Sequence, residues 1–229
     1  MRGWIVQLLA TLGCAGTAQA APWVRDDDGW YARALITSET LDGAEGWRAD
    51  GYGEYGLTEK LTITAKAESV TYDGFNEFDR EAFRLTLRRQ LMKRGNWVAG
   101  AELGAVHGST ATGFSGCEGW GYEARAGAGY SGVLRERAFY AFGDVAYIQQ
   151  ERGCERQRAE FGLGTDIGEN MFLTQQIWIE NGNQSADSVK TESQIGIHFD
   201  TFDLSLGFRE EIGGEFEETA VLIALVARR

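Results

Sequence analysis

Gly51–Gly74, GYGEYGLTEKLTITAKAESVTYDG, reads as one complete β-hairpin. Its first arm sets Asp50, Tyr52 and Glu54 on one side and Gly51, Gly53, Tyr55 and Leu57 on the other. Thr58-Glu59-Lys60 makes a tight polar turn. The second arm alternates Thr62, Thr64, Lys66 and Glu68 against Leu61, Ile63, Ala65 and Ala67. A period of two over this length specifies strands with one apolar and one polar face. Which face looks inward decides the architecture, and the rest of the chain bears on that choice.

The same alternation recurs in about twelve segments, over residues 29–39, 47–57, 61–72, 79–92, 96–107, 119–131, 137–150, 156–167, 171–181, 188–199, 202–211 and 216–227. Helix is the main competitor for 79–92, but there Phe83, Leu85, Leu87 and Leu91 keep a period of two and the 3.6-residue spacing fits worse. Connections after even-numbered segments are short: Thr58-Glu59-Lys60, Lys93-Arg94-Gly95, Gly132 to Glu136, Gly168-Glu169-Asn170 and Asp200-Thr201. Those after odd-numbered segments are mostly longer, glycine-rich and acidic, such as Asp42-Gly43-Ala44-Glu45-Gly46, Gly108 to Glu118 and Asn181 to Asp187. Short turns at one end and longer loops at the other are how membrane barrels are built.

The N-terminus reads as an export signal. Arg2 precedes an apolar stretch from about Trp4 to Leu12, and Ala18-Gln19-Ala20 supplies a small-residue cleavage site. Residues 1–20 are therefore expected to leave, with residues 21–229 forming one barrel domain. Leu12-Gly13-Cys14 offers a rival lipoprotein reading that Thr11 and Leu12 fit poorly. Across 229 residues the formal net charge is −12, one unit more negative once Arg2 is lost. So acidic a chain is not built to bind nucleic acid, which requires a basic surface. Mean hydropathy is −0.30, and no later apolar run reaches the roughly 18 residues of a membrane helix. Strands that cross a bilayer escape that measure, because every second residue is polar.

If the barrel stands in lipid, the apolar faces look out. That outward set includes Leu61, Ile63, Phe83, Leu85, Leu87, Leu103, Phe161, Leu163, Ile195, Ile197, Leu204, Leu206, Val221, Ile223 and Leu225. The opposite, lumen-lining set is Glu54, Lys66, Glu68, Arg80, Arg84, Arg88, Glu102, Glu123, Arg125, Arg158, Glu160, Glu180, Lys190, Glu192 and Arg209. A soluble sandwich would have to bury the apolar face and expose the charged one, because unpaired charge in a core is strongly unfavourable. Aromatics favour the bilayer. Trp97, Tyr130, Phe139, Phe172, Phe199 and Phe202 gather near the short turns, and Trp120, Tyr147 and Trp178 near the loops, as two interfacial girdles would.

Taken together, the mature chain resembles the Gram-negative outer-membrane β-barrels of the porin-like class: all-β, antiparallel, up-and-down and transmembrane. The turn Tyr55-Gly56-Leu57-Thr58-Glu59-Lys60-Leu61-Thr62 is similar to their periplasmic turns. One departure is the end, Val221 to Arg229, which alternates correctly but lacks the terminal aromatic those proteins usually present to the barrel-assembly machinery. The resemblance implies residence in the bacterial outer membrane, contact with its lipid and lipopolysaccharide, and handling by that machinery.

Cys14 leaves with the signal, so Cys117 and Cys154 remain, on consecutive loops of an exported chain, and are expected to form a disulfide. His107 and His198 are far apart and lack ligand spacing, so neither metal nor cofactor is expected. Gly-x-Gly pairs such as Gly51/Gly53 read as strand residues rather than phosphate cradles. His107 and Ser109 share the spacing that some outer-membrane lipid hydrolases use. Trp120 and Tyr122 stand where an orienting Asn would be wanted, so an enzyme is the lesser reading. The leading one is passive passage of small hydrophilic solutes or ions. Its counterpart is a barrel whose interior charges pair across the lumen and close it.

Overall fold

The hairpin at Gly51–Gly74 folds as its alternation requires. A computed structural model describes residues 22–75, 79–108, 117–184 and 187–229. Strand β2 (Ala44–Thr58) pairs antiparallel with β3 (Leu61–Tyr72) around Glu59-Lys60, with Asp50 opposite Glu68 and Tyr52 opposite Lys66. A register shift between Gly56 and Thr58 absorbs one residue just before the turn. Ten further strands repeat this unit. They are β1 (Trp30–Leu41), β4 (Arg80–Arg94), β5 (Trp97–Gly108), β6 (Trp120–Leu134), β7 (Arg137–Gln150), β8 (Cys154–Asp166), β9 (Met171–Gly182), β10 (Ser188–His198), β11 (Phe202–Gly214) and β12 (Glu218–Arg228).

Each strand pairs with its sequence neighbours, and β1 pairs with β12 to close a twelve-stranded antiparallel barrel. That seam runs from Tyr31 opposite Arg228 to Leu41 opposite Glu218. Its terminal-end rim is tied by two backbone bonds of 3.0 Å between Trp30 and Arg229. At the other rim, the Asp42 amide donates to the Glu217 carbonyl at 3.0 Å. Both described chain ends therefore lie with the even-numbered turns, here called the terminal end, and the opposite rim is the loop end.

Three connections are tighter than the sequence suggests. Asp42-Gly43 alone joins β1 to β2, so Ala44, Glu45 and Gly46 are strand rather than loop. Asp42 (φ 48°) and Gly43 (φ 84°) both take left-handed conformations, the requirement of a two-residue hairpin turn that Asp-Gly meets readily. Arg135 (φ 52°) and Glu136 (φ 67°) make the same turn between β6 and β7 without a glycine, so β6 runs on to Leu134. A 3-10 turn, Glu151–Gly153, is all that separates β7 from β8.

Side chains alternate across the wall, broken locally at register shifts such as Gln90/Met92. The outer face carries Ile36, Leu85, Leu103, Val145, Leu206 and Ile223, all exposed in the isolated chain. Such a continuous apolar wall around a closed sheet has no use in water and matches the hydrocarbon of a bilayer. Trp97 packs edge-on to Tyr130 at 5.0 Å, and Tyr130 lies 5.7 Å from Phe139, giving the terminal end an aromatic belt. Two residues expected in the girdles face the other way. Phe172 is buried and lies 4.7 Å from His198, and Trp178 sits beneath the Arg209 guanidinium inside the barrel. Their even position in β9 sets their direction, since strand phase outweighs interfacial preference.

Candidate functional site

The strand phase that puts leucines outside aims a dense set of charges inward. Every member of the sequence-assigned set lies on the inner face, from Glu54 to Arg209, and most are buried. The lumen is organised around arginine forks, whose planar donors each meet two or three carboxylates. Arg88 donates through Nη1 to Glu54 at 2.7 Å, through Nε to Glu102 at 2.8 Å and through Nη2 to the Tyr52 hydroxyl at 3.0 Å. Thr86 and Thr64 complete the solvation of Glu102, with the two hydroxyls 2.7 Å apart.

Arg125 is the second fork. It holds Glu123 at 2.9 Å, Asp144 at 2.6 Å and Glu160 at 3.5 Å. Glu123 also takes Arg84 at 3.2 Å. On the facing wall Arg48 joins Glu39 and Glu68, each at 2.7 Å, while Lys66 bridges Glu68 at 2.6 Å and Asp50 at 2.8 Å. Arg33 caps Asp50 at 2.9 Å. Glu180 receives both Arg156 at 2.8 Å and Arg158 at 2.7 Å. Glu192 pairs with Arg209 at 2.9 Å, and Lys190 pairs with Glu218. Arg80 donates to the Asp79 carbonyl at the loop end.

Arg33, Glu39, Arg48, Asp50, Asp144, Arg156 and Glu218 belong to this network and were not assigned to it from sequence. For Arg48 and Asp50 the signal was present, because both share the phase of Glu54. Strand β1 gave a weaker one: Tyr31, Leu35 and Leu41 are apolar yet face inward beside Arg33 and Glu39.

Charge occupies the middle of the lumen, joined by buried Thr174, Gln176, Gln194 and Ser205, and apolar clusters lie toward its two ends. Leu41, Val70 and Tyr72 pack together beneath the loop end, with Phe216 against them. The terminal end is occupied by the chain itself. Residues 22–29 turn inward ahead of β1, and Trp23 packs edge-on to Tyr140 and Phe142 at 6.0 and 6.2 Å. The Trp23 carbonyl accepts from Arg88 at 3.1 Å, and the Arg25 amide donates to Thr62 at 2.8 Å. Arg25 pairs with Glu54 and covers the Tyr31 ring at 4.7 Å. Burial works against its charge, but the Glu54 carboxylate more than offsets this and leaves the guanidinium above its ordinary pKa. Between Lys66, Glu68, Arg84, Glu123 and Arg158 the remaining space is about 20 Å³, room for roughly one water.

Cys117 and Cys154 are joined, with Cα atoms 5.6 Å apart and a sequence separation of 37. Gln150 reinforces the base of that loop, donating to the Gly108 carbonyl at 2.8 Å and the Gly119 carbonyl at 3.1 Å. Alkylation of the native protein should modify neither cysteine until a reductant is added, as read by intact mass. His107 stands at the rim of β5 and packs edge-on to Trp120 at 4.7 Å, while Ser109 lies outside the described residues. His198 sits between Asp203 at 2.7 Å and Asp166 at 3.5 Å near the terminal end. Among the described residues no group of three or more His, Cys, Asp or Glu side chains is arranged to hold a metal.

Comparison with solved structures places this architecture. An outer-membrane channel from Pseudomonas putida F1 superposes with a TM-score of 0.56 at 12% identity, covering 89% of this chain and 96% of that one. The NanC porin gives 0.60 at 8% identity, with 86% and 99% covered. The KdgM porin gives 0.57 at 5% identity, with 85% and 98% covered. No family profile matches the sequence, and no curated protein matches it. The fold is that of outer-membrane porins and channels, and the apolar wall sets it in the membrane. The protein is a closed twelve-stranded antiparallel β-barrel of that fold.

Proposed function

We propose that this barrel is a passive channel for small hydrophilic solutes or ions whose resting state is closed. The supporting observation is the charged lumen itself. Apolar side chains of similar volume would fill a purely structural barrel at lower desolvation cost, since a buried ion pair is often no more stabilising than good packing. An interior of paired forks instead regains hydration whenever water enters, so charge in this position favours a lumen that can open. Its burial in the described state argues that passage is intermittent.

Planar-bilayer recording tests the reading. Membrane voltage supplies the lever, about 2.3 kcal/mol per elementary charge per 100 mV. Long silent periods broken by discrete conductance steps are the expected trace. A bilayer that stays silent at every voltage with folded protein inserted would leave a structural barrel. Steady ohmic current from the first insertion would show that the lumen stands open.

A further inference from the structure

The stretch Pro22–Asp28, ahead of the first strand, crosses the lumen from wall to wall. At one side the Asp28 amide donates to the Gly56 carbonyl at 3.1 Å, and the Gly56 amide returns a bond to Gly29 at 2.8 Å. In the middle, Arg25 engages Glu54 and Thr62 on β2 and β3. At the far side Trp23 rests on Tyr140 and Phe142 of β7. Strands β2 and β7 stand on opposite sides of a twelve-stranded closed sheet, so the segment spans the opening.

The wall is shaped to receive it. A Cβ at Gly129 would lie 2.6 Å from the Trp23 ring, and one at Gly100 would lie 2.9 Å from the Pro22 carbonyl oxygen. Both positions face inward, where any side chain would displace the segment. An aromatic slot, a bare backbone floor and a carboxylate for the arginine together form a seat for a Trp-x-Arg sequence. The seat and its occupant are on one chain, and among the described residues hydrogen bonds, the Arg25–Glu54 ion pair, the Arg25 guanidinium over Tyr31 and ring packing hold the occupant.

We propose that residues 22–28 are a detachable plug, seated in a peptide-binding groove at the terminal end of the lumen, and that passage requires its departure. The groove is independent of the channel reading, whereas the gating role rests on it. The seat recognises a short peptide through the Trp23 ring, the Trp23 carbonyl and the Arg25 guanidinium. A peptide of the same sequence should therefore fill it from outside.

Thiol modification tests the seat without relying on current. With the Cys117–Cys154 bridge intact, Thr62→Cys gives one free thiol beneath the segment. In the complete barrel it should resist a membrane-impermeant thiosulfonate added from the terminal side. Deleting residues 22–28 should raise its reaction rate roughly a hundredfold or more, because a closed local state no longer has to open first. A synthetic peptide of residues 22–28 should restore protection, and the same peptide with Trp23→Ala and Arg25→Ala should not. Gly129→Val in the full chain gives a second route, expelling Trp23 without shortening the protein; heat-modifiable gel migration checks folding of each variant. Equal reactivity with and without the segment, or no protection by the peptide, overturns the plug. Fast modification together with a silent bilayer keeps the groove, overturns gating and leaves the barrel structural.

Discussion

Arg88→Met lowers the unfolding free energy of the barrel by about 3–5 kcal/mol, the cost of leaving buried carboxylates without their partner. Arg88 is 2% exposed and is the shared donor of Glu54, Glu102, Tyr52 and the Trp23 carbonyl. Methionine matches its bulk, so the effect reports charge rather than a void. Urea titration of the protein refolded into vesicles measures it. Arg88→Lys should recover only part of the loss, because one ammonium cannot reproduce a fork that reaches both carboxylates at 2.7 and 2.8 Å. Combining Arg88→Met with Glu102→Gln should restore part of it, because Glu54 keeps Arg25 as its partner. A single variant within about 1 kcal/mol of the parent would show that water already solvates these groups.

The second large effect concerns the outer wall. Ile223, at the middle of β12, is 55% exposed on the isolated chain, and Leu134, at the β6 turn, is 66% exposed. In water an arginine at either place would be harmless. In a bilayer the cost depends on depth: Ile223→Arg should destabilise by about 2–4 kcal/mol, and Leu134→Arg by about 0–1 kcal/mol. The same vesicle titration gives both values. Equal, small effects at the two sites would reject the membrane span.

The wall was legible in the sequence because its signal is repeated on strand after strand. Leu61, Ile63, Ala65 and Ala67 opposite Thr62, Thr64, Lys66 and Glu68 fix the phase of β3, and register carries it to the neighbouring strands. Inward charges were legible for the same reason. What sequence could not give were features that break the binary rule. Phe172 and Trp178 are aromatic and inward; the inner face of β1 mixes Tyr31, Leu35 and Leu41 with Arg33, Thr37 and Glu39. The Asp42-Gly43 turn was hidden inside an acidic run that looked like a loop, although Asp-Gly itself is a strong hairpin signal. The inward path of residues 22–28 had no local signature, because its complement is dispersed over Gly100, Gly129, Tyr140 and Phe142 on three other strands.

The β1–β12 seam has a kinetic meaning. Every other pairing in the sheet joins strands adjacent in sequence, so each can zip as a local hairpin. The seam instead brings Tyr31 to Arg228, and its loop-closure entropy grows with the logarithm of nearly the whole chain. Folding speed should therefore depend on this one interface far more than on any other, since contacts of long sequence separation set the rate. Substitutions at its facing positions, such as Ile36 and its partner Ile223, should slow barrel closure, while equivalent changes between β6 and β7 should chiefly speed opening.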